Sequence, residues 1–325
     1  MSRQNFLITG ALGCLGAWVV RNLVQDQINT TVFDLGSHKH RLELIMQPNE
    51  LAQVRFIQGD LTQTATLLEA VEAAEATHII HLAALQVPFC KADPPLGAAV
   101  NVVGTVNVFE AAKKMGLKQV VYASSVAVYG RKDEYVEPLM PHQARRRPHT
   151  LYGVYKQANE DTARVYWQDD GLASIGLRPY TIYGPGRDQG LTSTPTQAML
   201  AAARGEAFHI PYGGKNGFQY VDDVAKIFIQ AARTPFAGAD VFNIKGEVVH
   251  VQDVIAAIEA AEPAMAGQIT FDDQPLSFPD GAEDTALRQL LGEIPHTPLA
   301  AGVAQTIDCL KTALADNRLP KKNKI

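Results

Sequence analysis

The first 180 residues alternate short apolar, β-branched runs with segments of helical period, and this alternation leaves few folds open. Strands joined by helical crossovers form a parallel sheet with helices on both faces. The runs are apolar throughout, as expected for strands that are buried on both sides. The predicted strands are NFLITG, TTVFDL, VRFIQGD, THIIHLA, QVVYASS and LASIGLRP, and the predicted helices are Cys14–Gln25, Leu96–Met115 and Tyr152–Gln168.

A glycine loop, ITGALGCLG, joins the first strand to the first helix. Gly10 permits the tight turn, Gly13 lets the backbone approach a pyrophosphate, and Gly16 permits close packing of the helix on the sheet. The helix start, with Cys14 and Leu15, offers unpaired N–H groups and the positive end of the helix dipole to phosphates. The loop therefore predicts a dinucleotide site.

Two acidic residues indicate which dinucleotide binds. Asp34 ends the second strand, about 20 residues beyond the loop, where a carboxylate accepts hydrogen bonds from the adenosine ribose. Its charge repels a 2′-phosphate, so NAD is predicted rather than NADP. The basic stretch SHKHR that follows is interpreted as solvated surface, and contact with such a phosphate is the alternative. Asp60, followed by Leu61, is predicted to meet the adenine or to cap a helix.

Beyond Pro179 the pattern changes, and Gly, Pro, Thr and Gln cluster in TIYGPGRDQGLTSTPT. We predict a Rossmann-type cofactor domain in residues 1–179, to which residues 218–245 return. Residues 180–217 and 246–325 form a smaller substrate-binding lobe, with short helices and one strand, ITFDD, after Gly246. The predicted fold class is therefore α/β, a doubly wound parallel sheet with a C-terminal lobe.

The stretch TLYGVYKQANE holds a tyrosine and a lysine at helical spacing. Tyr152 and Lys156 share one helix face, whereas Tyr155 points elsewhere. An ammonium close to a phenol favours the phenolate and lowers its pKa, which suits proton transfer. Taken alone, the spacing also fits a surface helix with an aromatic face.

Five motifs occur in one order between about Asn5 and Gly246: the glycine spacing, GDL, HLAA, YASS and Tyr-x-x-x-Lys. In this combination the sequence resembles the extended short-chain dehydrogenase/reductases, the NAD-dependent epimerase/dehydratase family. The resemblance implies that Ser125, Tyr152 and Lys156 are catalytic. Tyr152 would exchange a proton with a substrate hydroxyl while a hydride passes between the substrate carbon and NAD.

The resemblance also implies further contacts and a partner. Besides Tyr152 and Lys156, the implied cofactor contacts are Leu82, Ala83, Ala84, Ser124 and, near the nicotinamide, Tyr180. Asn101 corresponds to a structural asparagine of the family. Helices 96–115 and 152–166 correspond to helices that pair across a twofold axis, so a homodimer is expected.

The sequence departs from the family in three places. Val126 and Ala127 follow Ser125 where dehydratases carry acidic residues, so dehydration is not expected. Thr181 stands where many nucleotide-sugar enzymes have an asparagine, and Asn216 where they have a diphosphate-binding arginine. Because a diphosphate normally meets bidentate arginines, these departures predict a smaller substrate.

The predicted function is NAD-dependent hydride transfer to or from a secondary alcohol of a sugar, sugar acid or hydroxy acid. The expected substrate contacts are Gln86, Ser125, Tyr152, Thr181, Arg187 and Gln189. The basic stretch RRRPH, residues 145–149, is interpreted as an exposed turn, with carboxylate recognition as the alternative. Two other functions remain open: a sugar or nucleotide-sugar epimerase with no net redox change, and a non-catalytic dinucleotide sensor.

Composition excludes several other classes of protein. A net charge of −5 gives no reason to expect a nucleic acid or a membrane surface as partner. No apolar run reaches transmembrane length. Cys14, Cys90 and Cys309 match no disulfide or metal spacing, and the histidines form no metal motif, so no metal is predicted. With a strand-like run from Asn5 and no signal peptide, these features predict a cytoplasmic protein.

Overall fold

The computed structural model describes residues 4–319, so the first three and last six residues, which include the end of the predicted lobe, lie outside it. The strands are β1 (Asn5–Thr9), β2 (Asn29–Asp34), β3 (Arg55–Gln58), β4 (His78–His81), β5 (Gln119–Ala123), β6 (Ala173–Arg178), β7 (Thr181–Tyr183), β8 (Phe208–Ile210), β9 (Lys215–Tyr220), β10 (Ala239–Asn243), β11 (Glu247–His250) and β12 (Ile269–Phe271). The helices are α1 (Cys14–Gln25), α2 (His40–Ile45), α3 (Pro48–Leu51), α4 (Thr64–Ala73), α5 (Val87–Ala92), α6 (Pro94–Ala98), α7 (Gly104–Lys114), α8 (Leu151–Asp170), α9 (Thr194–Arg204), α10 (Val221–Arg233), α11 (Val251–Ala261), α12 (Thr285–Leu291) and α13 (Leu299–Ala315).

Seven strands form one sheet in the order β10-β6-β5-β4-β1-β2-β3. Every pair in it is parallel. The direction of winding reverses between β1 and β4, and at such a switch point the carboxyl ends of the strands border a crevice for ligands. The predicted Rossmann-type α/β fold is confirmed.

Helices cover both faces of this sheet, which explains the uninterrupted apolar strands. On one face, Val19 and Leu23 of α1 pack with Phe228 of α10. On the other face, Phe109 of α7 packs with Tyr122 of β5. Each large side chain of this kind contributes about 1.5–3 kcal/mol by leaving water, so the strands that carry the site are held firmly.

The remaining strands form two small sheets, β11-β9-β7 and β12-β8, which pack with α9, α11 and α13. The prediction of only short helices after Gly246 is wrong, because α13 has 17 residues. Its buried side chains include Leu299, Val303, Ile307 and Leu310, a helical period that the small residues between them disguise. The domain boundaries themselves stay a prediction.

The predicted helix from Leu96 to Met115 is not continuous. It consists of α6, a π-helical turn at Ala99–Val103, and α7. Within the wide turn, Asn101 accepts a hydrogen bond from the Leu85 N–H (2.7 Å) and donates one to the Leu85 carbonyl (2.9 Å). The interruption therefore serves to hold the loop after β4, which carries Ala84 and Gln86 at the crevice.

Within residues 4–319, no helix combines the length and apolar character needed to cross a lipid bilayer. In the same part of the chain, no three or more His, Cys, Asp or Glu side chains come together in a way that would hold a metal ion. All three cysteines are free thiols.

Candidate active site

Ser125 and Tyr152 meet because the start of α8 packs directly on the backbone that follows β5. The hydroxyl of Thr150 caps α8 by accepting a hydrogen bond from the Gly153 N–H (3.0 Å). A Cβ atom at Gly153 would lie 2.1 Å from the Ala127 carbonyl oxygen, so only glycine permits this approach. Tyr152, one residue earlier, is thereby brought close to Ser125.

The environment of Tyr152 differs from the sequence-based expectation. Burial raises the pKa of its phenol, whereas the nearby Ser125 hydroxyl and the charge of Arg187 lower it. The predicted lowering by Lys156 is not what the structure shows. The Lys156 ammonium donates to the Ala123 carbonyl (2.7 Å) and lies 5.7 Å from the centre of the Tyr152 ring. Burial lowers the pKa of Lys156 to about 8.

Tyr155 lies on another face of α8. Its hydroxyl donates a hydrogen bond to the Pro94 carbonyl (3.0 Å), which ties α8 to α6. The two tyrosines therefore lie on different faces of α8, as the helical spacing predicts: the Tyr152 ring lies near Lys156, and Tyr155 joins two helices.

The glycine loop fits a dinucleotide phosphate. Gly10 has φ +71°, and a Cβ there would lie 2.5 Å from the backbone of Ala83. A Cβ at Gly16 would lie 2.5 Å from the Gly10 carbonyl oxygen. No side chain caps α1, so its start, with Cys14 and Leu15, keeps N–H groups for an anion.

Asp34 is fixed beside this loop. Its carboxylate accepts hydrogen bonds from the Leu12 N–H (3.0 Å) and the Gly36 N–H (3.1 Å). One oxygen of Asp60 accepts from both the N–H and the hydroxyl of Thr62, at 2.8 Å each. Asp60 thus forms a local turn, and its contact with the adenine stays a prediction. Leu61, predicted beside it, is buried.

Ser124 has a different environment from its predicted one. Its side chain is 2% exposed and its hydroxyl donates to Glu160 (2.5 Å). Only its backbone is left for the predicted cofactor contact. Leu82, Ala83 and Ala84 are half-buried at the end of β4, where the prediction places them.

Glu160 is the centre of a buried ionic network that sequence analysis missed. Arg178 binds both of its oxygens (2.8 and 2.7 Å), and Arg146 binds one of them (3.1 Å). Arg146 also pairs with Asp161 (2.9 Å), so this residue of RRRPH is not an exposed turn residue as predicted. The sequence did contain a sign that Glu160 faces the interior: it follows Lys156 by four residues and so shares its helix face.

The 184–190 loop lies across the crevice and is anchored on the glycine-loop side. The Trp18 indole N–H donates to the Pro185 carbonyl (2.9 Å). Arg41 pairs with Asp188 (2.7 Å) and donates to the Leu12 carbonyl (2.9 Å). Arg41 belongs to the SHKHR stretch, so the prediction that this stretch is simply solvated is wrong at this residue.

The other predicted substrate residues differ in what they offer a ligand. A Cβ at Gly190 would lie 3.0 Å from Gln86 Oε1, so Gln86 meets the far end of the 184–190 loop. Gln189 is exposed and Arg187 is half-buried on that loop. Thr181, 3% exposed, offers the least surface.

Tyr180 follows β6 at the rim of the crevice. Its N–H donates to the buried side chain of Gln219 (2.8 Å), and Gln219 in turn donates to the Ile244 carbonyl (2.7 Å). Both of these hydrogen bonds of the Gln219 side chain are therefore made to the backbone. The proximity of Tyr180 to a nicotinamide stays a prediction.

Comparison with known proteins identifies the family. Residues 6–244 match the sequence model of the NAD dependent epimerase/dehydratase family. This chain belongs to that family. It is 30% identical over 318 residues to a UDP-glucose 4-epimerase of Mycolicibacterium smegmatis, covering 93% of this chain and 97% of that protein.

Solved structures share the fold of this chain. The NAD complex of the UDP-glucose 4-epimerase of Thermus thermophilus superposes with a TM-score of 0.79, at 24% identity over 95% of this chain and 99% of that one. An L-threonine dehydrogenase of Cupriavidus necator superposes with a TM-score of 0.82, at 23% identity over 94% and 100%. The predicted family is confirmed, and the cofactor of this family member is NAD.

The Arg41–Asp188 pair predicts how the cofactor preference can be changed. Wild type should bind NAD far better than NADP, because Asp34 repels a 2′-phosphate and Asp188 holds the nearby Arg41. Asp34→Ala should reduce the difference in affinity between NAD and NADP. Asp188→Asn frees Arg41 from an exposed ion pair and should reduce this difference about two- to fivefold. Dissociation constants from calorimetry, alongside kcat/KM, measure both effects, and equal binding of the two cofactors by wild type would contradict the prediction.

Proposed function

We propose that this protein is an oxidoreductase that transfers a hydride between NAD and a secondary alcohol or ketone of a small polar substrate. Asn216 carries this proposal. It is 2% exposed on β9, opposite Val249 of β11, and offers no charge at the position where a nucleotide-sugar enzyme would need an arginine. Lys215 beside it is exposed and supplies only a point charge.

Each side chain at the crevice has its own role in the proposed reaction. Ser125 donates a hydrogen bond to the substrate oxygen. Its own Oγ accepts from the Ala127 N–H (3.1 Å), which holds the hydroxyl in place. Tyr152, in contact with Ser125, takes the proton from the substrate hydroxyl as its carbon is oxidised.

Lys156 is the third residue of this group and lies one helical turn after Tyr152. Its ammonium is buried and fixed on the Ala123 carbonyl, so a positive charge stays under the crevice in the pH range below about 8. NAD, when bound, supplies the hydride acceptor, and its reduced form the donor. A non-catalytic sensor would have no use for Ser125, Tyr152 and Lys156 together.

A screen for NADH formation tests the proposal. Purified protein with NAD is offered sugars, aldonates, uronates, glycerate and L-threonine, and NADH is followed by absorbance. Net NADH with at least one of these compounds is expected. Isomer exchange without NADH would contradict the oxidoreductase and support an epimerase.

The nucleotide-sugar epimerase is the second candidate, favoured by the 30% identity to a UDP-glucose 4-epimerase over nearly the whole chain. A pyrophosphate must lose its water on binding, and its charge then needs cationic partners. Because Asn216 is neutral and buried, we expect UDP, UDP-glucose and UDP-glucuronate to bind weakly. Calorimetry on the NAD-loaded protein distinguishes the two functions. Low-micromolar binding of any of the three compounds would contradict the oxidoreductase proposal and favour the epimerase.

We also propose that the protein is a homodimer. Several large apolar side chains are more than 40% exposed on or beside the helices of the predicted interface, namely Phe89, Leu96, Val103, Leu151, Val154 and Val165. An apolar surface of this kind on α5 to α8 is typical of an isologous interface. Light scattering at micromolar concentration should report a dimer, and a monomer would contradict this proposal.

A further inference from the structure

A single buried carboxylate joins the three segments that carry the site. One oxygen of Glu160 accepts hydrogen bonds from the Ser124 hydroxyl (2.5 Å) and from Arg178 Nε (2.8 Å). The other oxygen accepts from Arg178 Nη2 (2.7 Å). Ser124 follows β5 directly, and Arg178 is the last residue of β6. Glu160 therefore links α8 to the carboxyl ends of two neighbouring strands.

The residues on either side of Ser125 are tied to β6 through the backbone. The Ser124 N–H donates to the Leu177 carbonyl (2.7 Å). The Val126 N–H donates to the Pro179 carbonyl (3.2 Å). The residue between these two acceptors is the arginine that binds the buried carboxylate. The backbone that carries the Ser125 hydroxyl and the end of β6 are thus held to each other and to the same side chain of α8.

Helix α8 is attached to the end of β5 at a second point. The Lys156 ammonium donates to the Ala123 carbonyl (2.7 Å), one residue before the serine that Glu160 binds. Tyr152, Lys156 and Glu160 follow one another at intervals of four residues and share one helix face. Because two successive residues of this segment are bonded to α8, the distance between Tyr152 and Ser125 is fixed by these two bonds.

A network that only stabilised the fold would not need the contact with Ser124. Arg178 binds both oxygens of Glu160, and Arg146 donates to one of them (3.1 Å). These guanidinium groups already balance the charge of the carboxylate. The bond to Ser124 adds no charge to the network, and it is directed at the residue that precedes Ser125.

We propose that Glu160 and Ser124 are positioning residues, which hold the Ser125 hydroxyl at the distance from the Tyr152 phenol that proton transfer requires. Both act through Ser125 rather than on the substrate. This inference rests on the proposed function, which assigns the proton transfer to Tyr152. It also gives the Ser124 side chain a role other than the predicted cofactor contact.

Ser124→Ala tests the proposal, because it removes one hydroxyl and leaves the carboxylate bound by both arginines. Glu160→Gln is less suitable, since it also leaves buried arginine charge unpaired. Turnover is measured with a compound that yields NADH, and NAD binding by calorimetry. We expect kcat to fall roughly tenfold, because a misplacement of about 1 Å can cost about a hundredfold in rate. The KM, the affinity for NAD and the stoichiometry of NAD binding should stay close to those of wild type.

A double-mutant cycle with Ser125→Ala separates positioning from stability. If Ser124 acts through Ser125, Ser124→Ala should change kcat by less than about twofold when Ser125 is already alanine. A loss of the same size in both backgrounds would overturn the proposal. An unchanged kcat in the single variant, or a fall only in proportion to the stoichiometry of NAD binding, would overturn it as well.

Ser174→Ala is the matched control. Ser174 of β6 is fully buried, and its hydroxyl has no hydrogen-bond partner among residues 4–319. Its removal should leave kcat unchanged, and a loss equal to that of Ser124→Ala would show a packing effect and overturn the proposal. The absence of NADH with every compound would instead overturn the oxidoreductase function. The cycle is then measured on isomer exchange of UDP-glucose, which needs the same proton transfer, and the absence of both reactions would overturn the positioning role too.

Discussion

Tyr152→Phe should lose about 10²- to 10⁴-fold in kcat, the range that a positioned proton-transfer group contributes. The substitution removes one oxygen atom and leaves the ring, so packing at the start of α8 is kept. Binding of NAD, measured by calorimetry, should change little. The turnover is measured with whichever compound of the screen yields NADH, across a range of pH.

Tyr155→Phe is the control on the same helix. It removes only the hydrogen bond to the Pro94 carbonyl, which is worth about 1 kcal/mol of stability, and should leave kcat within about twofold. If Tyr155→Phe proves more damaging to turnover than Tyr152→Phe, the assignment of the proton-transfer group is wrong.

Glu160→Gln should lower the free energy of unfolding by about 3–5 kcal/mol, because it leaves buried arginine charge without its carboxylate. The side chains of Glu160 and Arg178 are 2% and 7% exposed, and their two contacts are short. Urea unfolding followed by circular dichroism measures the change. Kinetic effects should accompany it, since Glu160 also holds Ser124, the neighbour of Ser125.

Asp161→Asn provides the exposed comparison. Asp161 pairs with Arg146 at 2.9 Å but is 41% exposed, so its loss should cost at most about 1 kcal/mol. Adding Arg178→Met to Glu160→Gln should recover part of the lost stability, because the unpaired charge is then removed as well. Equal, small losses from Glu160→Gln and Asp161→Asn would contradict the view that burial makes this network costly to break.

Sequence analysis works best here where chemistry acts over short distances along the chain. The glycine loop, the acid at the end of β2 and the spacing of Tyr152 and Lys156 are all local patterns, and each strand of the first half is a continuous apolar run. The helical crossovers imply that the strands are parallel. In a parallel sheet the carboxyl ends of separate strands meet at one edge, which brings their residues together. These features were enough to predict the sheet and the family.

Contacts between distant segments could not be predicted in the same way. Arg41 and Asp188 are far apart in sequence, and neither residue carries a sign of the other. The same holds for Glu160, which binds both Arg178 and Arg146. It also holds for Asn101, which lies in the π-helical turn and bonds to Leu85. Such pairings depend on the tertiary fold, so a local pattern shows the charge or amide but not its partner.

Trp18 gives the 184–190 loop an optical signal. The chain has two tryptophans, Trp18 and Trp167, and the second lies near the far end of α8. In a Trp167→Phe variant, the fluorescence therefore comes from a single indole whose N–H is bonded to the backbone of the loop that carries Arg187. Withdrawal of the loop would admit water to this indole and shift its emission to longer wavelength. Stopped-flow fluorescence can thus test, without any added label, whether this loop leaves Trp18 during turnover.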